Sequence, residues 1–520
     1  MKIHRRAFFN RLGLGAAGIY LAPSFRMFAS ASSGSLPRGV PEAQGVSSAG
    51  ILDFLDAVNH SKHEFHSFMM ARHGQVIAEG WWAPYRADLN HMLYSLSKSF
   101  TSTAIGLAVT SGKLTVDDAV TCFFPDKLPA TVSENLAALK VKHLLTMSVG
   151  HAKDSTPIIT KEHDWVKTFL SLPIEHEPGS VFLYNSGATY MLSAIVQKVT
   201  GEKAIDYLRP RLFEPLAVEG MTWEKCPLGI NTGGWGLAIQ TETVAKFAQL
   251  YLQNGSWNGR QLIPASWVHE ATTFKIQQPA TDGADLEQLK KTSEWHQGYC
   301  YQFWRTSHNA FRGDGAFGQY AFVLPEQDTI IAITSETGEM AGEFKLIWDH
   351  LLPAIKPSPL PADDSAHAQL KQTLASLVLP LAPGNASSAP LTKSFKLEPN
   401  DSKFDTISLQ CDAQSCIINF DSQAVHCGVG KWIEGVTSLP GTPPKLTVGD
   451  LRPAKIAASA AWKDANTLVM LWRYIETPHH DTVTCQLDGD KLTLTWLNSL
   501  TEKSSNRPET RPALHGTPTA

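Results

Sequence analysis

The sequence of 520 residues predicts an α/β (α+β) domain, in which one antiparallel sheet carries a helical lobe, followed by an all-β domain. Three observations support this fold class. Two strand-like runs flank the turn signal His73-Gly74 within residues 67–78. Two more, 319–324 and 329–334, flank the turn Pro325-Glu326-Gln327-Asp328. The residues between these hairpins show mainly helical patterns, so both ends of the segment are expected to form one sheet around an inserted lobe.

The remaining elements follow from hydrophobic periodicity and from end signals. Gly201 and Gly255 stand where helix C-terminal caps are expected. The predicted helices are 48–60, 95–110, 142–147, 165–172, 188–200, 243–252, 344–352 and 366–379. Beyond about residue 395 only short strand patterns occur, with Asp488-Gly489 as a hairpin signal, and these indicate a sandwich or a barrel. The predicted strands of this part are 404–409, 417–420, 468–474, 482–487 and 491–497.

Composition divides the chain into segments. The stretch 32–45 is rich in Ser, Gly and Pro, and prolines recur from 353 to 361. The last residues are polar and proline-rich, which predicts disorder. The predicted organisation is a signal peptide at 1–31, a linker at 32–45, an α/β domain at 46–353, a linker and helix at 354–394, an all-β domain at 395–498 and a disordered tail at 499–520.

The N-terminus has the pattern of an export signal. Arg5-Arg6 form a twin-arginine pair, Leu12 to Pro23 is a short apolar stretch, and Ala29-Ser30-Ala31 offers a small-residue cleavage site. The alternative is a basic amphipathic start of a cytosolic domain. We expect twin-arginine export to the periplasm or the medium, and no later stretch is long and apolar enough to span a membrane. A net charge of −4 gives no reason to expect nucleic acid as a partner.

Seven cysteines are present, and the odd number rules out complete internal pairing. Cys411 and Cys416 flank a turn-like tetrad, where a hairpin disulfide and two half-buried thiols are both compatible with the sequence. Together with His426 and Cys427 they loosely resemble a metal-ligand set. Their spacing matches no standard zinc module, so we interpret that likeness as chance.

Ser95-Leu96-Ser97-Lys98 is the most informative motif. Residues three apart on a helix share a face, so the Ser95 hydroxyl and the Lys98 amine are expected to meet. A lysine kept neutral by burial can take the hydroxyl proton and make the serine a nucleophile. The alternative is an ordinary N-cap serine followed by a solvated lysine.

Two further segments could complete an acyl-transfer site. Tyr184 lies in a tight loop leading into a helix, and a phenol with a lowered pKa could carry the proton to the leaving group. Gly313-Asp314-Gly315 precede the late hairpin, where the Ala316 backbone N–H, with that of Ser95, could form an oxyanion hole. The alternatives are a core tyrosine and a glycine-rich bulge.

The order and spacing of these motifs over about residues 40–350 resemble the serine β-lactamase-related superfamily of class C β-lactamases, DD-peptidases, family VIII esterases and nylon-oligomer amidases. Supporting stretches are 141–150, 233–237 and 263–268. The resemblance implies a β-lactamase/transpeptidase-like fold. It also implies Ser95 as the acylated nucleophile, Lys98 as its general base and Tyr184 as proton carrier, without a metal or organic cofactor.

The chain departs from the superfamily pattern at two substrate-binding positions. Ser186 replaces the Asn of Tyr-x-Asn, and Gly313 replaces the cation of Lys-Thr-Gly or His-Thr-Gly. Each lost charge-assisted hydrogen bond should cost about 1–3 kcal/mol of affinity for anionic peptide-like substrates. The sequence therefore predicts an exported esterase or amidase acting on small uncharged substrates.

Two alternatives remain open at this stage. One is a cell-wall DD-peptidase or weak β-lactamase. The other is a catalytically idle ligand-binding protein whose β-domain contacts a surface or polymer.

Overall fold

The computed structural model describes residues 34–280, 283–385, 390–444, 451–503 and 507–519. The predicted signal peptide lies outside these residues. The strands are β1 (Glu64–Arg72), β2 (Gln75–Trp81), β3 (His91–Met92), β4 (Thr222–Trp223), β5 (Leu237–Ile239), β6 (Ser256–Trp257), β7 (Arg260–Gln261), β8 (Trp304–Arg305), β9 (Phe311–Gly315), β10 (Gln319–Leu324), β11 (Thr329–Glu336), β12 (Leu391–Leu397), β13 (Thr406–Cys411), β14 (Ser415–Phe420), β15 (Gln423–Val429), β16 (Ile433–Thr437), β17 (Ala454–Trp462), β18 (Thr467–Arg473), β19 (His480–Asp488), β20 (Lys491–Asn498) and β21 (Leu514–Pro518).

The helices lie mostly between β3 and β8. They are α1 (Ser48–Asn59), α2 (Ser97–Thr110), α3 (Glu134–Ala138), α4 (Val141–Leu145), α5 (Thr156–Ile159), α6 (Trp165–Ser171), α7 (Ser186–Thr200), α8 (Ala204–Leu208), α9 (Thr241–Leu252), α10 (Ala265–Thr272), α11 (Leu286–Thr292), α12 (Met340–Leu346), α13 (Leu352–Ala354), α14 (Asp364–Ala375) and α15 (Ser499–Glu502). Short π-helical segments follow α8 and α12, at Arg209–Phe213 and Ile347–Leu351.

The main sheet has the order β2-β1-β11-β10-β9-β8 with antiparallel pairing throughout. The early hairpin therefore pairs with the late strands, as the sequence predicts. Both faces are covered, so β1 and β11 are buried nearly throughout. Met69 points into a core shared with the helical lobe and α9. Its neighbour Met70 points into a second core with α1 and α12, because successive strand residues face opposite sides.

The C-terminal strands close into a barrel. The order is β15-β14-β13-β12-β21-β20-β19-β18-β17, and parallel pairing of β15 with β17 joins the ends. Nine strands thus form the closed wall, and β16 pairs with the first part of the β17 edge whose later residues pair with β15. Alternate residues such as Ile407 and Leu409 point inward to a separate apolar core. Of the two all-β architectures predicted, the barrel is the one formed.

The prediction of a disordered tail over 499–520 is wrong for residues that the structure describes. β21 pairs with β12 on one side and β20 on the other, so it is an integral strand of the barrel. Leu514 is its buried contribution to the core. The polar composition of the tail gives no strand pattern of its own. The segment becomes a strand because its residues pair with β12 and β20.

The predicted linker at 32–45 also packs against the body where it is described. Leu36 is buried, and Arg38 binds the carboxylates of Glu79 and Glu242. The barrel begins at β12, several residues before the predicted start at 395, and helix α14 lies within 354–394 as predicted. The domain limits themselves stay predictions.

Cys411 and Cys416 form a disulfide across the β13–β14 hairpin, with their Cα atoms 4.0 Å apart. On β15, Cys427 points into the barrel, whereas its neighbour His426 is exposed. The alternation of the strand separates these two side chains, and this agrees with the interpretation of the Cys/His likeness as chance.

Candidate active site

Ser95 lies in a tight turn at the start of α2. The turn is a 3-10 helix over Tyr94–Leu96, so Ser95 precedes the α-helix rather than lying in its first turn as predicted. Tyr94 has a φ of 48°, a left-handed conformation that is costly for a residue with a side chain. The Ser97 hydroxyl donates to Tyr94 O at 2.6 Å and accepts from Leu237 N at 3.1 Å. These bonds fix the turn Tyr94–Leu96 against β5; we call it the nucleophile turn, after the role expected of Ser95.

Lys98 meets Ser95 as the motif predicts. Its Nζ donates to Ser95 Oγ at 3.0 Å, to Ser186 Oγ at 2.9 Å and to the Gly234 carbonyl at 2.7 Å. The residue is 2% exposed. Burial lowers the pKa of Lys98 to about 7, against the smaller opposing influence of Asp154 and Asp314. A large fraction of this amine is therefore free base at neutral pH, and the alternative of a solvated lysine is wrong.

Tyr184 also lies close to the Lys98 amine. Its ring is stacked on Trp304 with centroids 5.7 Å apart, and Lys98 Nζ is 4.8 Å from the Tyr184 ring centroid. Burial, together with Asp314, raises the pKa of Tyr184, although a hydrogen bond with Ser95 favours the phenolate. The expectation of a lowered pKa is thus wrong, and the phenol keeps its proton at neutral pH.

The two residues after Tyr184 have different tasks. Ser186 opens α7 and accepts the Lys98 bond. Asn185 is buried and caps α7 by accepting from Gly187 N at 3.1 Å. It also accepts from Ser155 Oγ at 2.7 Å, so its amide holds two loops together and does not replace the missing Asn of the family motif.

Strand β9 passes directly beside the nucleophile turn. A Cβ on Gly313 would lie 2.4 Å from Leu96 Cδ1, and one on Gly315 would lie 2.0 Å from Leu93 O. Gly315 has no room for a side chain because the backbone lies in its place, whereas a side chain at Gly313 would require the ends of the Leu96 and Ser99 side chains to move. Ala316 directly follows Gly315, the last residue of the strand.

Asp314 is a buried carboxylate close enough to Lys98 and Tyr184 to influence both. Arg312 on the same strand donates to it through Nε, and its Nη2 also lies 3.0 Å from Asp314 Oδ2. Burial raises the pKa of Asp314, and the Arg312 charge opposes that rise. The Arg312 guanidinium, next to Gly313, is therefore already paired with Asp314.

The structure brings together Ser95, Lys98, Tyr184, Ser186 and the β9 glycines. It also shows a contact that the sequence analysis missed, the Gly234 carbonyl on the Lys98 amine. The signal was the glycine pair Gly233-Gly234: Gly233 has a φ of 68°, and a Cβ on Gly234 would lie 2.9 Å from Ser186 O. Such closeness permits only glycine there.

A second buried group of ionisable residues lies where the barrel meets the main sheet. We call it the junction cluster and define it as Glu64, Glu336, Arg473 and His480. Oxygen and nitrogen atoms of Glu64, Glu336 and His480 are close enough to surround a metal ion. Arg473, however, already binds Glu64 through two bonds of 2.6 and 2.9 Å. The guanidinium supplies the positive charge there, so an ion pair network explains the cluster.

Comparisons with known proteins identify the family. The profile of the Beta-lactamase family matches residues 66–356, more than half of the chain. The chain belongs to that family. It is 24% identical over 286 residues to the 6-aminohexanoate-dimer hydrolase of Paenarthrobacter ureafaciens, covering 51% of this chain and 71% of that protein. It is also 24% identical to penicillin-binding protein 4 of Amycolatopsis lactamdurans over 50% of this chain and 75% of that protein.

Solved structures agree on the fold. A putative β-lactamase from Bacteroides dorei superposes with a TM-score of 0.50 and 14% identity, over 59% of this chain and 99% of that one. The protein is thus a hydrolase of the serine β-lactamase fold. In the part of the chain that the structure describes, none of the helices has the length and apolar character needed to cross a membrane.

Proposed function

We propose that this β-lactamase family protein is a serine hydrolase that forms an acyl-enzyme at Ser95 and acts as an esterase or amidase on small uncharged substrates. The observation that carries the proposal is the buried Lys98 amine, 3.0 Å from Ser95 Oγ, with a pKa lowered to about 7. A base with a pKa near the working pH is the most effective general base.

The steps follow from these contacts. Ser95 Oγ attacks the substrate carbonyl carbon while its proton passes to Lys98 Nζ. As the bond to the leaving group breaks, Tyr184 donates its proton to the leaving oxygen or nitrogen, and the Lys98 ammonium restores it. Water then attacks the carbonyl carbon of the acyl-enzyme while Lys98 Nζ accepts its proton. The bond to Ser95 Oγ breaks, Oγ takes this proton back from the Lys98 ammonium, and the carboxylic acid is released. A phenol with a raised pKa fits this role because it acts as an acid rather than a base.

The negative charge that develops on the carbonyl oxygen needs donors. The backbone N–H groups of Ser95 and Ala316 are our candidates, because the β9 glycines allow that strand to lie against the nucleophile turn. Preformed donors of this kind typically contribute about 10²- to 10³-fold each to the rate.

The charges around the site favour uncharged substrates. Gly313 has no side chain to supply the cation that would bind a substrate carboxylate, and Arg312 is bonded to Asp314. The carboxylates Asp154 and Asp314 both act on Lys98 and Tyr184, so the potential there disfavours an anion. Substrates of the kind that penicillin-binding proteins and β-lactamases recognise carry such an anion.

An activity screen of the wild type and Ser95→Ala tests the proposal. We expect the wild type to hydrolyse short p-nitrophenyl esters with a kcat/KM about 100-fold or more above that for a chromogenic cephalosporin, on the basis of two missing charge-assisted bonds. Ser95→Ala should lose both activities. Equal turnover of the cephalosporin would favour the cell-wall peptidase or β-lactamase alternative. Full activity of Ser95→Ala would overturn the proposal.

Amide hydrolysis is a second candidate within the same chemistry. The relative from Paenarthrobacter ureafaciens is named as a hydrolase of an amide-linked dimer, at 24% identity. Linear amides of 6-aminohexanoate, with both ends free or both blocked, would separate the cases. We expect the blocked, uncharged form to be the better substrate of this protein.

We further propose that the protein is exported. The twin-arginine pattern supports this, and so does the Cys411–Cys416 disulfide, since disulfides persist in oxidising compartments. Replacing Arg5 and Arg6 by Lys should retain the protein in the cytoplasm, as measured by cell fractionation. Equal amounts of wild type and variant in the periplasm would contradict the proposal.

A further inference from the structure

The barrel contacts the α/β domain at β3 and the loop before it, close in sequence to the nucleophile turn. The contact is made by the loop between β18 and β19, residues 474–479. Met92 N donates to Glu476 O at 2.9 Å, and the Tyr85 hydroxyl donates to Thr477 O at 2.9 Å. Met92 precedes Ser95 by only three residues, so this loop is anchored on the segment that leads into the nucleophile.

One side chain of this loop, that of His479, contacts both Tyr94 and Glu336. The ring of His479 is buried, and its Nε2 lies 2.5 Å from the Tyr94 hydroxyl. Its Nδ1 lies 2.8 Å from Glu336 Oε1 at the end of β11. The second oxygen of Glu336 accepts from His480 Nδ1 at 2.9 Å. Because an ionised carboxylate only accepts, His479 donates through Nδ1, and a neutral ring accepts the Tyr94 proton at Nε2.

The ring of His479 also packs next to Ala316, whose backbone N–H is the second donor expected in the oxyanion hole. Phe317, which directly follows Ala316, lies edge-on to His479 with centroids 4.9 Å apart, and edge-on to Tyr94 at 5.3 Å. Phe317 has a φ of 69°, and Tyr94 has one of 48°. Both residues hold left-handed conformations that persist only when surrounding contacts maintain them.

We propose that His479 is a positioning residue through which the barrel completes the active site. It holds Tyr94 and Phe317, the residues adjacent to Ser95 and Ala316, and thereby fixes the two backbone N–H groups that receive the oxyanion. The inference rests on the proposed function and assigns a task to the accessory domain. The barrel is then part of the catalytic machinery rather than an independent binding module.

Two substitutions separate the bonds of His479. In His479→Gln the side-chain amide reaches the place of Nε2 and can still accept from Tyr94, but it loses Glu336. In His479→Asn the amide occupies the place of Nδ1 and keeps Glu336, but it loses Tyr94. The measured quantities are the second-order rate of Ser95 labelling by a fluorophosphonate, and kcat and KM for a short p-nitrophenyl ester.

We expect His479→Asn and His479→Ala to reduce kcat and the labelling rate by about 10- to 100-fold with little change in KM, since a small displacement of the site has that effect. His479→Gln should stay within about threefold of the wild type. Tyr94→Phe removes the same bond from the other end with almost no change in shape. It should match His479→Asn, which loses the same bond and keeps Glu336, and the double variant Tyr94→Phe/His479→Asn should be no worse than either, as expected for one shared interaction.

Glu434→Ala provides the control for docking of the barrel. Glu434 of β16 binds Arg86 at 2.5 Å in an exposed contact between the barrel and the loop that joins β2 and β3. We expect wild-type rates from it. If His479→Ala fails to fold, Tyr94→Phe carries the test.

The outcomes are distinct. If the wild type is labelled at Ser95 but His479→Asn and Tyr94→Phe keep wild-type rates, this inference is overturned and the proposed function is not. The same losses in His479→Gln as in His479→Asn would also overturn it, because the bond to Tyr94 would not be the one that counts. A wild type that is not labelled at Ser95 would overturn the proposed function, and this inference with it.

Discussion

Two neighbouring parts of the molecule bury cations and treat them in opposite ways. Lys98 contacts the hydroxyls of Ser95 and Ser186 and a backbone carbonyl, all of them neutral, and burial lowers its pKa to about 7. In the junction cluster, burial also opposes the charge of His480. The carboxylates of Glu336 and Glu502 outweigh it there and raise the pKa of His480 to about 9.

The difference teaches that the charge of the partner, and not burial alone, decides what a buried cation does. A cation without an adjacent anion releases its proton near neutral pH and can serve as a base. A cation with a bonded carboxylate stays charged and serves as a fixed structural ion. In this protein the first arrangement lies beside the nucleophile, and the second lies at the contact between barrel and sheet.

The largest effect should come from removing the base. Lys98→Met keeps most of the buried volume but has no proton acceptor, so kcat/KM for a short ester should fall by about 10²- to 10⁴-fold. The measurement is steady-state hydrolysis, with thermal unfolding to show that the variant folds. A variant that keeps a tenth or more of the activity would mean that another group accepts the proton.

Breaking the junction cluster should cost stability instead. Arg473→Met leaves the Glu64 carboxylate buried without the guanidinium that binds it through two bonds. Removing one partner of a buried pair typically destabilises by about 3–5 kcal/mol. Denaturant unfolding measures the loss, and the double variant Glu64→Gln/Arg473→Met should recover part of it. Glu434→Ala, which breaks an exposed pair, should change the free energy of unfolding by less than about 1 kcal/mol.

The pH dependence of stability should reflect the same pairing. The pKa of His480 is raised from 6.5 to about 9 on folding, so its contribution is complete below pH 6.5 and is lost as the pH rises through about 9. At about 1.4 kcal/mol per pH unit, the free energy of unfolding should lose about 3 kcal/mol over this range. The check is denaturant unfolding across this pH range for wild type and His480→Gln.

Lys98 changes stability with pH in the opposite direction, so its contribution must be separated from that of His480. Its pKa falls on folding from 10.5 to about 7, so the unfolded chain binds more protons between these values and stability rises with pH there. Because wild type and His480→Gln share Lys98, the difference between their pH curves isolates His480. Parallel curves would show that Glu336 does not hold the charge on His480.

The comparison also shows which features were predictable from sequence. Ser95 and Lys98 were found because their pairing is local, set by three residues of separation before a helix. The sheet of both hairpins was predicted because each hairpin carries its own turn and its own alternation. The charge departures at Ser186 and Gly313 needed only the aligned motifs.

The features that were missed depend on contacts between distant residues. Glu64, Glu336 and Arg473 are separated by hundreds of residues, and no local pattern connects them. β21 was missed because Leu514 and Gly516 become strand residues only when β12 and β20 lie on both sides. The raised pKa of Tyr184 depends on burial and on Asp314, which only the folded chain brings together.

The last prediction gives Lys98 a carboxylate partner, as His480 has in the junction cluster. In Ser186→Asp a carboxylate replaces the neutral hydroxyl that lies 2.9 Å from Lys98 Nζ. The Lys98 pKa should rise by about 1–3 units, as for other cations next to an acid. Since the free amine is the base, the pH at which kcat/KM reaches half of its maximum should move from about 7 to between about 8 and 10.

A matched variant distinguishes charge from shape. Ser186→Asn introduces a side chain of nearly the same size as Asp without the charge, so its midpoint should stay near 7 even if its maximal rate changes. Aspartate is also acceptable at this position in structural terms, because Ser186 is the first residue of α7 and a negative charge there is favoured by the helix dipole. If the Asp and Asn variants give the same midpoint, the neutrality of the partners of Lys98 does not set its pKa, and the contrast with His480 fails at its central step.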